Sequence, residues 1–140
     1  MIRSRLLGCF LLIALGLAAG CKDEPAPSGA ASATATAAAG LPDRDPALAK
    51  KLVGEGALLL DVRTQEEWDQ GHLEGATLIP IDELPKRLAE IDEAQGGDKD
   101  KPIVVYCRSG GRAGRAKQML LDAGHHQVTN LGGMTDWPKD

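Results

Sequence analysis

The sequence predicts an α/β fold in which helices are layered on a parallel sheet. Short apolar runs at residues 57–62, 76–80, 103–106 and 127–131 alternate with segments of helical pattern. Two of these runs, 57–62 and 103–106, are almost continuously apolar, as is typical of parallel strands buried on both faces. A parallel pair of strands needs a crossover connection, and the intervening helical segments supply it.

Start signals mark the first two helices. Asp45 followed by Pro46 is typical of an N-cap with proline at the first helical position, and it predicts a short helix. Thr64, with Glu67 three residues later, has the pattern of a capping box. This pattern predicts a second helix, which ends at Gly71.

Two later helices are predicted from their apolar faces. One begins at Asp82, with Pro85 in its first turn, where proline is tolerated. Its apolar face is formed by Leu84, Leu88 and Ile91. The other covers residues 112–123 and ends at Gly124. Its apolar stripe consists of Ala113, Ala116, Met119 and Leu120.

The N-terminus has the pattern of a targeting signal. Arg3 and Arg5 precede the apolar run 6–17, which is short for a membrane span and fits a secretory signal. The small residues before Cys21 are similar to those of a bacterial lipoprotein signal, in which this cysteine receives lipid and becomes the mature N-terminus. We therefore expect a signal over residues 1–20 and lipidation of Cys21. An ordinary cleaved signal with an incidental cysteine is the alternative.

The segment after Cys21 predicts a tether. Residues 22–40 are rich in Ala, Ser, Thr and Pro and lack large apolar side chains to bury, so we expect a disordered linker over residues 21–41. The folded domain then covers residues 42–140. This organisation predicts a periplasm-facing protein of the cell envelope that is lipid-anchored to a membrane. The absence of an acidic residue after Cys21, where Lys22 stands, slightly favours the outer membrane.

Composition limits the function classes. The 140 residues allow one domain, and the net charge of −4 gives no support for nucleic-acid binding through bulk charge. Cysteines and histidines do not occur at metal-ligand spacing, so neither a metal nor a cofactor is expected. His125 and His126 follow Gly124 and are expected to be solvated.

Cys107 is the residue whose surroundings in the sequence indicate a reactive thiol. It ends a buried strand and opens the run Cys107-Arg108-Ser109-Gly110-Gly111-Arg112, after which a helix begins. Helix N–H groups and nearby cations favour a thiolate, and the same arrangement binds a small oxyanion. Gly110 and Gly111 are expected to let the loop curl by adopting positive φ. If the chain is processed at Cys21, Cys107 is the only free thiol and no internal disulfide can form.

Residues 45–137 resemble a single-domain rhodanese, a thiosulfate sulfurtransferase-like domain. Three blocks carry the resemblance in order: residues 60–76 with Ile79-Pro80, residues 105–113, and residues 131–134 with Trp137. The resemblance implies a three-layer fold with a parallel sheet of about five strands and helices on both faces. Family members usually have a short strand before the first helix, for which residues 40–43 are poorly suited.

The resemblance also implies a sulfurtransferase in which Cys107 is the nucleophile, and we expect the protein to be a monomer. Cys107 would take a sulfane sulfur from thiosulfate or a related anion and pass the persulfide sulfur to a thiophilic acceptor, such as cyanide, a thiol or a protein thiol. The substrate-binding residues would be Arg108, Ser109, Gly110, Gly111 and Arg112. In this group Arg112 would bind the donor oxyanion and Arg108 would steer anions. Asp61 and Arg63 would organise the site, and His72 would fix a turn.

Two other functions fit parts of this pattern. Phosphatases and arsenate reductases also place a cysteine and an arginine around an anion loop, but their loop is one residue longer. Here the place that the longer loop requires is occupied by Ala113, which disfavours phosphate chemistry. A lipid-tethered rhodanese-like module that binds or regulates a partner without turnover is the second alternative.

Overall fold

The computed structural model describes residues 40–139, and within them the chain forms a four-stranded parallel sheet. The strands are β1 (Leu58–Asp61), β2 (Thr77–Leu78), β3 (Ile103–Cys107) and β4 (Val128–Gly133). Their spatial order is β2-β1-β3-β4, which places β3 inside the sheet. The helices are α1 (Pro46–Gly54), α2 (Gln65–Asp69), α3 (Leu88–Ala94) and α4 (Gly111–Asp122).

Helices cover both faces of the sheet. Leu60 and Val105 belong to one buried cluster, which includes residues of α3 and α4. Leu59 and Val104 belong to a second cluster, which includes Ala49 of α1. Neighbouring residues of one strand alternate between the clusters because successive side chains of a strand point to opposite faces. The predicted α/β fold with a parallel sheet and helices on both faces is therefore confirmed.

The sheet has four strands in residues 40–139, where the resemblance implied about five. Residues 41–44 lie along the outer edge of β4, and the N–H groups of Leu41 and Arg44 donate to the carbonyls of Val128 and Asn130 at 2.9 and 2.8 Å. They do not form a regular strand because Pro42 has no N–H to donate. In addition, the N–H of Asn130 donates to the Asp43 side chain at 2.9 Å rather than to a backbone carbonyl.

The helix after β2 also differs from its prediction. In place of one helix from Asp82, a 3₁₀ turn covers Leu84–Lys86 and α3 follows from Leu88. The interruption lies at Arg87, whose φ of −113° is not helical. Pro85 contributes because it lacks the N–H that would continue the helical bonding. The capping box of α2 forms as predicted, with the Thr64 and Glu67 side chains each accepting the other residue's N–H.

The targeting signal over residues 1–20, Cys21 and nearly all of the linker lie outside the described residues. Within residues 40–139, no helix combines the length and the apolar character that crossing a membrane requires.

Candidate active site

The site lies where two parallel strands end side by side. Cys107 is the last residue of β3, Asp61 is the last residue of β1, and the register pairs Asp61 with Tyr106. Cys107 is 1% exposed and Asp61 is fully buried. Ligands of parallel α/β sheets bind at the carboxyl ends of the strands, so these residues lie at the end of the sheet where a substrate is expected to bind.

The loop between β3 and α4 is short, because only residues 108–110 separate the two elements. Gly110 caps α4 with a φ of +93°, which a residue with a side chain rarely adopts. Its N–H donates to Cys107 Sγ at 3.0 Å. The expectation that Gly111 also adopts positive φ is wrong, because Gly111 is already the first helical residue of α4.

The Cys107 thiol experiences opposing effects on its pKa. Burial raises the pKa, whereas hydrogen bonds from the backbone N–H groups of Ala113, Ser109, Gly110 and Arg112 lower it. The combined effect of the donors is larger, so the pKa of Cys107 lies below its ordinary value. The start of α4 therefore favours the thiolate, which is the nucleophilic form of cysteine.

Arg112 is already paired with a carboxylate and is not free to bind an anion. Its guanidinium forms two hydrogen bonds with the Glu67 carboxylate, Nη1 to Oε2 at 2.5 Å and Nη2 to Oε1 at 2.7 Å. The Arg112 guanidinium lowers the pKa of Glu67 to about 2, and Glu67 raises the pKa of Arg112. Glu67 is thus a site residue that the sequence indicated only as a helix cap.

Arg108 is the cation that faces open space. It is exposed and has no acidic partner among residues 40–139. It lines a cavity of about 350 Å³ at this edge of the sheet. The cavity is lined by Arg63, Glu67, Gln70, Gly71, Arg108 and Met134. Arg108 therefore offers an unpaired positive charge to a small anion in this cavity.

Asp61 and Arg63 form a buried ion pair under the cavity. The Asp61 carboxylate accepts from Arg63 Nη2 at 2.7 Å and from Arg63 Nε at 2.9 and 3.0 Å. Nη2 also donates to the Gly71 carbonyl at 2.7 Å, and the guanidinium lies 5.6 Å from the centre of the Tyr106 ring. The pair therefore connects the end of β1 to the segment after α2, which forms the cavity wall.

His72, His125 and His126 have different surroundings in the structure. His72 is exposed, stacks on Trp68 with 3.6 Å between ring centres, and has Nδ1 3.2 Å from the Trp68 carbonyl oxygen. His126 is exposed, but His125 is fully buried, so the expectation that both are solvated is wrong for His125. His125 is held by Asp92, whose Oδ1 lies 3.1 Å from Nε2. Residues 40–139 contain no cluster of His, Cys, Asp and Glu that suits a metal ion.

A second cavity of about 350 Å³ adjoins the first, and Gly71 and Met134 line both. Its remaining lining consists of His72, Leu73, Thr135, Trp137 and Lys139. The site thus has a charged part near the loop of Cys107 and a more apolar part next to it.

Comparison with known proteins places these features in a family. The family described as "Rhodanese-like domain" matches residues 45–140. The thiosulfate sulfurtransferase PspE of Escherichia coli (strain K12) is 38% identical over 77 residues, which cover 55% of this chain and 70% of PspE. A sulfurtransferase of Allochromatium vinosum is 38% identical over 86 residues, which cover 61% of this chain and 75% of that protein.

Solved structures agree with the sequence relatives. A structure described as a rhodanese with anions from E. coli has a TM-score of 0.52 and 36% identity, and the match covers 58% of this chain and 91% of that one. The human single-domain sulfurtransferase TSTD1 has a TM-score of 0.56 and 26% identity. That match covers 70% of this chain and 93% of TSTD1.

Proposed function

Because this chain belongs to the rhodanese-like domain family and is a rhodanese-like transferase, we propose that it moves a sulfane sulfur through a persulfide on Cys107. The observation that carries this proposal is the position of the thiol. Cys107 Sγ lies at the buried end of β3, beneath the N–H groups that begin α4, and accepts from Gly110 at 3.0 Å. These donors suit a thiolate and equally suit an anionic persulfide.

The proposed reaction is a pair of nucleophilic displacements. The Cys107 thiolate attacks the outer sulfur of thiosulfate, the sulfur–sulfur bond of the donor breaks, and its electron pair leaves with sulfite. The acceptor then attacks the terminal sulfur of the persulfide, and the electron pair of that bond returns to Cys107 as thiolate. Atoms and electrons balance without an external oxidant or reductant.

The donor is proposed to bind in the charged cavity. Arg108 supplies the unpaired positive charge there. Arg112 lies next to the cavity, where its ion pair with the lining residue Glu67 holds it. Ser109, Gly110 and Gly111 provide the backbone of the cradle, and the buried pair of Asp61 and Arg63 supports the wall. The adjoining apolar cavity leaves room for an acceptor larger than cyanide, such as an organic or protein thiol.

Turnover provides the direct test. The purified protein, incubated with thiosulfate and cyanide, should release thiocyanate, and Cys107→Ser should abolish it. Mass spectrometry after thiosulfate alone should show a gain of about 32 Da on Cys107, one sulfur atom. No thiocyanate from the wild type, or equal amounts from Cys107→Ser, would contradict the proposal.

We also propose that the protein works in the cell envelope, attached by lipid on Cys21 and separated from the membrane by the linker of residues 21–41. The support is the sequence pattern of charged, apolar and small residues that precedes Cys21. Radiolabelled palmitate should mark the wild type in its bacterial host but not Cys21→Ala. Equal labelling, or none in either, would overturn the lipid attachment.

A further inference from the structure

The amide that donates to Cys107 is contacted from its other side by Arg44. The N–H of Gly110 and the C=O of Ser109 belong to one peptide group: the N–H lies 3.0 Å from Sγ, and Arg44 Nη2 donates to the carbonyl at 3.4 Å. Arg44 also lies directly against Gly110, since a Cβ placed there would be 2.9 Å from Nη2. A cation at the carbonyl polarises the peptide and restrains its rotation, which keeps the N–H aimed at the sulfur.

Asn130 of β4 holds the next carbonyl of the loop. Its Nδ2 donates to the Gly110 oxygen at 3.1 Å, and that oxygen also accepts from the Gly114 N–H at 2.8 Å. The side chain is well ordered by its surroundings, because Asn130 is 6% exposed and its Oδ1 accepts from the Gly132 N–H at 2.9 Å. Asn130 therefore ties the first turn of α4 to the sheet.

The backbone of Arg44 is strained, and its neighbours maintain the strain. Its φ of +57° is unfavourable for a residue with a side chain. Lys117 of α4 holds the segment by donating to the Leu41 carbonyl and to the Asp43 carboxylate, both at 2.6 Å. Strain that the surrounding contacts enforce is typical of functional positions.

We propose that Arg44 and Asn130 are positioning residues of the sulfur transfer, which act on Cys107 through the consecutive carbonyl groups of Ser109 and Gly110. Neither side chain touches the reacting sulfur. Arg44 holds the Ser109 carbonyl, so that the Gly110 N–H of the same peptide stays aimed at Sγ. Asn130 holds the first turn of α4, whose N–H groups at Arg112 and Ala113 also act on the sulfur. This inference rests on the proposed function of Cys107, but the geometry concerns the resting thiol and can be measured without turnover.

The test is the pH dependence of Cys107 alkylation by iodoacetamide. The full chain carrying Cys9→Ser and Cys21→Ser has Cys107 as its only thiol. Arg44→Gln and Asn130→Ala should each raise the midpoint of the pH profile by about half a unit to one unit, and should slow alkylation at neutral pH about 3- to 10-fold. Arg44→Lys, which keeps a donor and the charge, should recover part of the shift.

Arg115→Gln is the matched control, because it removes the same charge from an exposed position of α4. Its midpoint should stay at the wild-type value. An unchanged midpoint in folded Arg44→Gln, or an equal shift in Arg115→Gln, would overturn the role of Arg44. If Asn130→Ala does not fold, Asn130→Ser serves instead, and an unchanged midpoint there would overturn the role of Asn130. Shifted midpoints in a protein that forms no thiocyanate would confirm the positioning and reject the proposed function.

Discussion

The Glu67 carboxylate joins the first turn of α2 to the first turn of α4. It binds the Arg112 guanidinium through hydrogen bonds of 2.5 and 2.7 Å and accepts from the Thr64 N–H at 3.2 Å. One side chain thus caps α2 and sets the position of Arg112 in the first turn of α4. Both interactions require the ionised carboxylate, which connects the stability of the domain to acid pH.

The wild type should lose the stability contributed by Glu67 as the pH falls from about 4.5 to about 2. The folded pKa lies below the unfolded value, so the contribution is complete above the unfolded pKa and disappears as the folded carboxylate is protonated. Urea unfolding should give a free energy of unfolding that is higher for the wild type than for Glu67→Gln. This difference should be largest above pH 5 and should disappear toward pH 2. A difference that does not change with pH would contradict the prediction. Glu93→Gln, exposed on α3, is the control and should change little at any pH.

Gly110→Ala should lower both stability and activity. A Cβ at this position would be 2.9 Å from Arg44 Nη2 and 3.2 Å from the Gly132 Cα, and the φ of +93° is itself unfavourable. We expect a loss of about 1–3 kcal/mol in the free energy of unfolding and at least a tenfold fall in turnover, since the loop must move. Gly111→Ala is the matched control, because nothing lies within 4 Å of its Cβ and the residue is helical. Its free energy of unfolding should be unchanged or slightly higher, and similar losses of stability in both variants would argue against the loop geometry.

Arg108→Gln should raise the KM for thiosulfate by about 3- to 10-fold and leave the free energy of unfolding unchanged. Arg108 lines the charged cavity without an acidic partner in the described part of the chain, so its charge is available to an anionic donor. Steady-state kinetics at two salt concentrations measure the effect, which should shrink as salt rises. An unchanged KM would assign donor binding to the backbone cradle alone.

Asp61→Asn should destabilise the domain by about 3–5 kcal/mol, because it leaves the Arg63 guanidinium buried without its carboxylate. The comparison is Glu90→Gln, which removes a carboxylate from the solvent-accessible pair with Arg87 and should cost much less. Chemical denaturation of the two variants gives the ranking directly. Equal losses would show that the buried pair is not a structural support of the site.

His125 should make the domain less stable below about pH 6.5. Burial and the nearby Lys99 lower its pKa in the folded state, although Asp92 partly opposes them. The unfolded state therefore binds the proton more readily, and stability falls as the pH drops below the unfolded value. His125→Gln should remove this slope between pH 7 and pH 5, whereas the exposed His126→Gln should retain it. The same slope in all three proteins would assign it to other groups.

The part of the site that can be predicted from sequence depends on short local patterns. Cys107 and Asp61 each end an apolar run, and neighbouring parallel strands end at the same side of a sheet. The position of both residues at that side therefore follows from the pattern of the runs. The contacts of Arg112 with Glu67 and of Arg44 with Ser109 join residues 45 and 65 positions apart. Such contacts depend on how α2 and the segment before α1 pack on the loop, and no short motif encodes that packing.

The same distinction applies at the edge of the sheet. Residues 40–43 were expected to be poorly suited to a strand, and they form none. The N–H groups of Leu41 and Arg44 nevertheless donate to carbonyls of β4 and hold the segment beside it. His125 looked solvated because it stands next to His126 in a polar stretch. Only the packing of the turn after α4 against Asp92 and Lys99 buries it.

Residues 41–44 have a consequence for how copies of the protein behave toward one another. Without them, β4 would present the unpaired carbonyls of Val128 and Asn130 along an open edge, where a strand of a second copy can add to the sheet. The family match begins only at residue 45, so a protein trimmed to that boundary would lose this protective segment together with Arg44. Such a trimmed protein should self-associate through β4, although it would contain every residue of the family match.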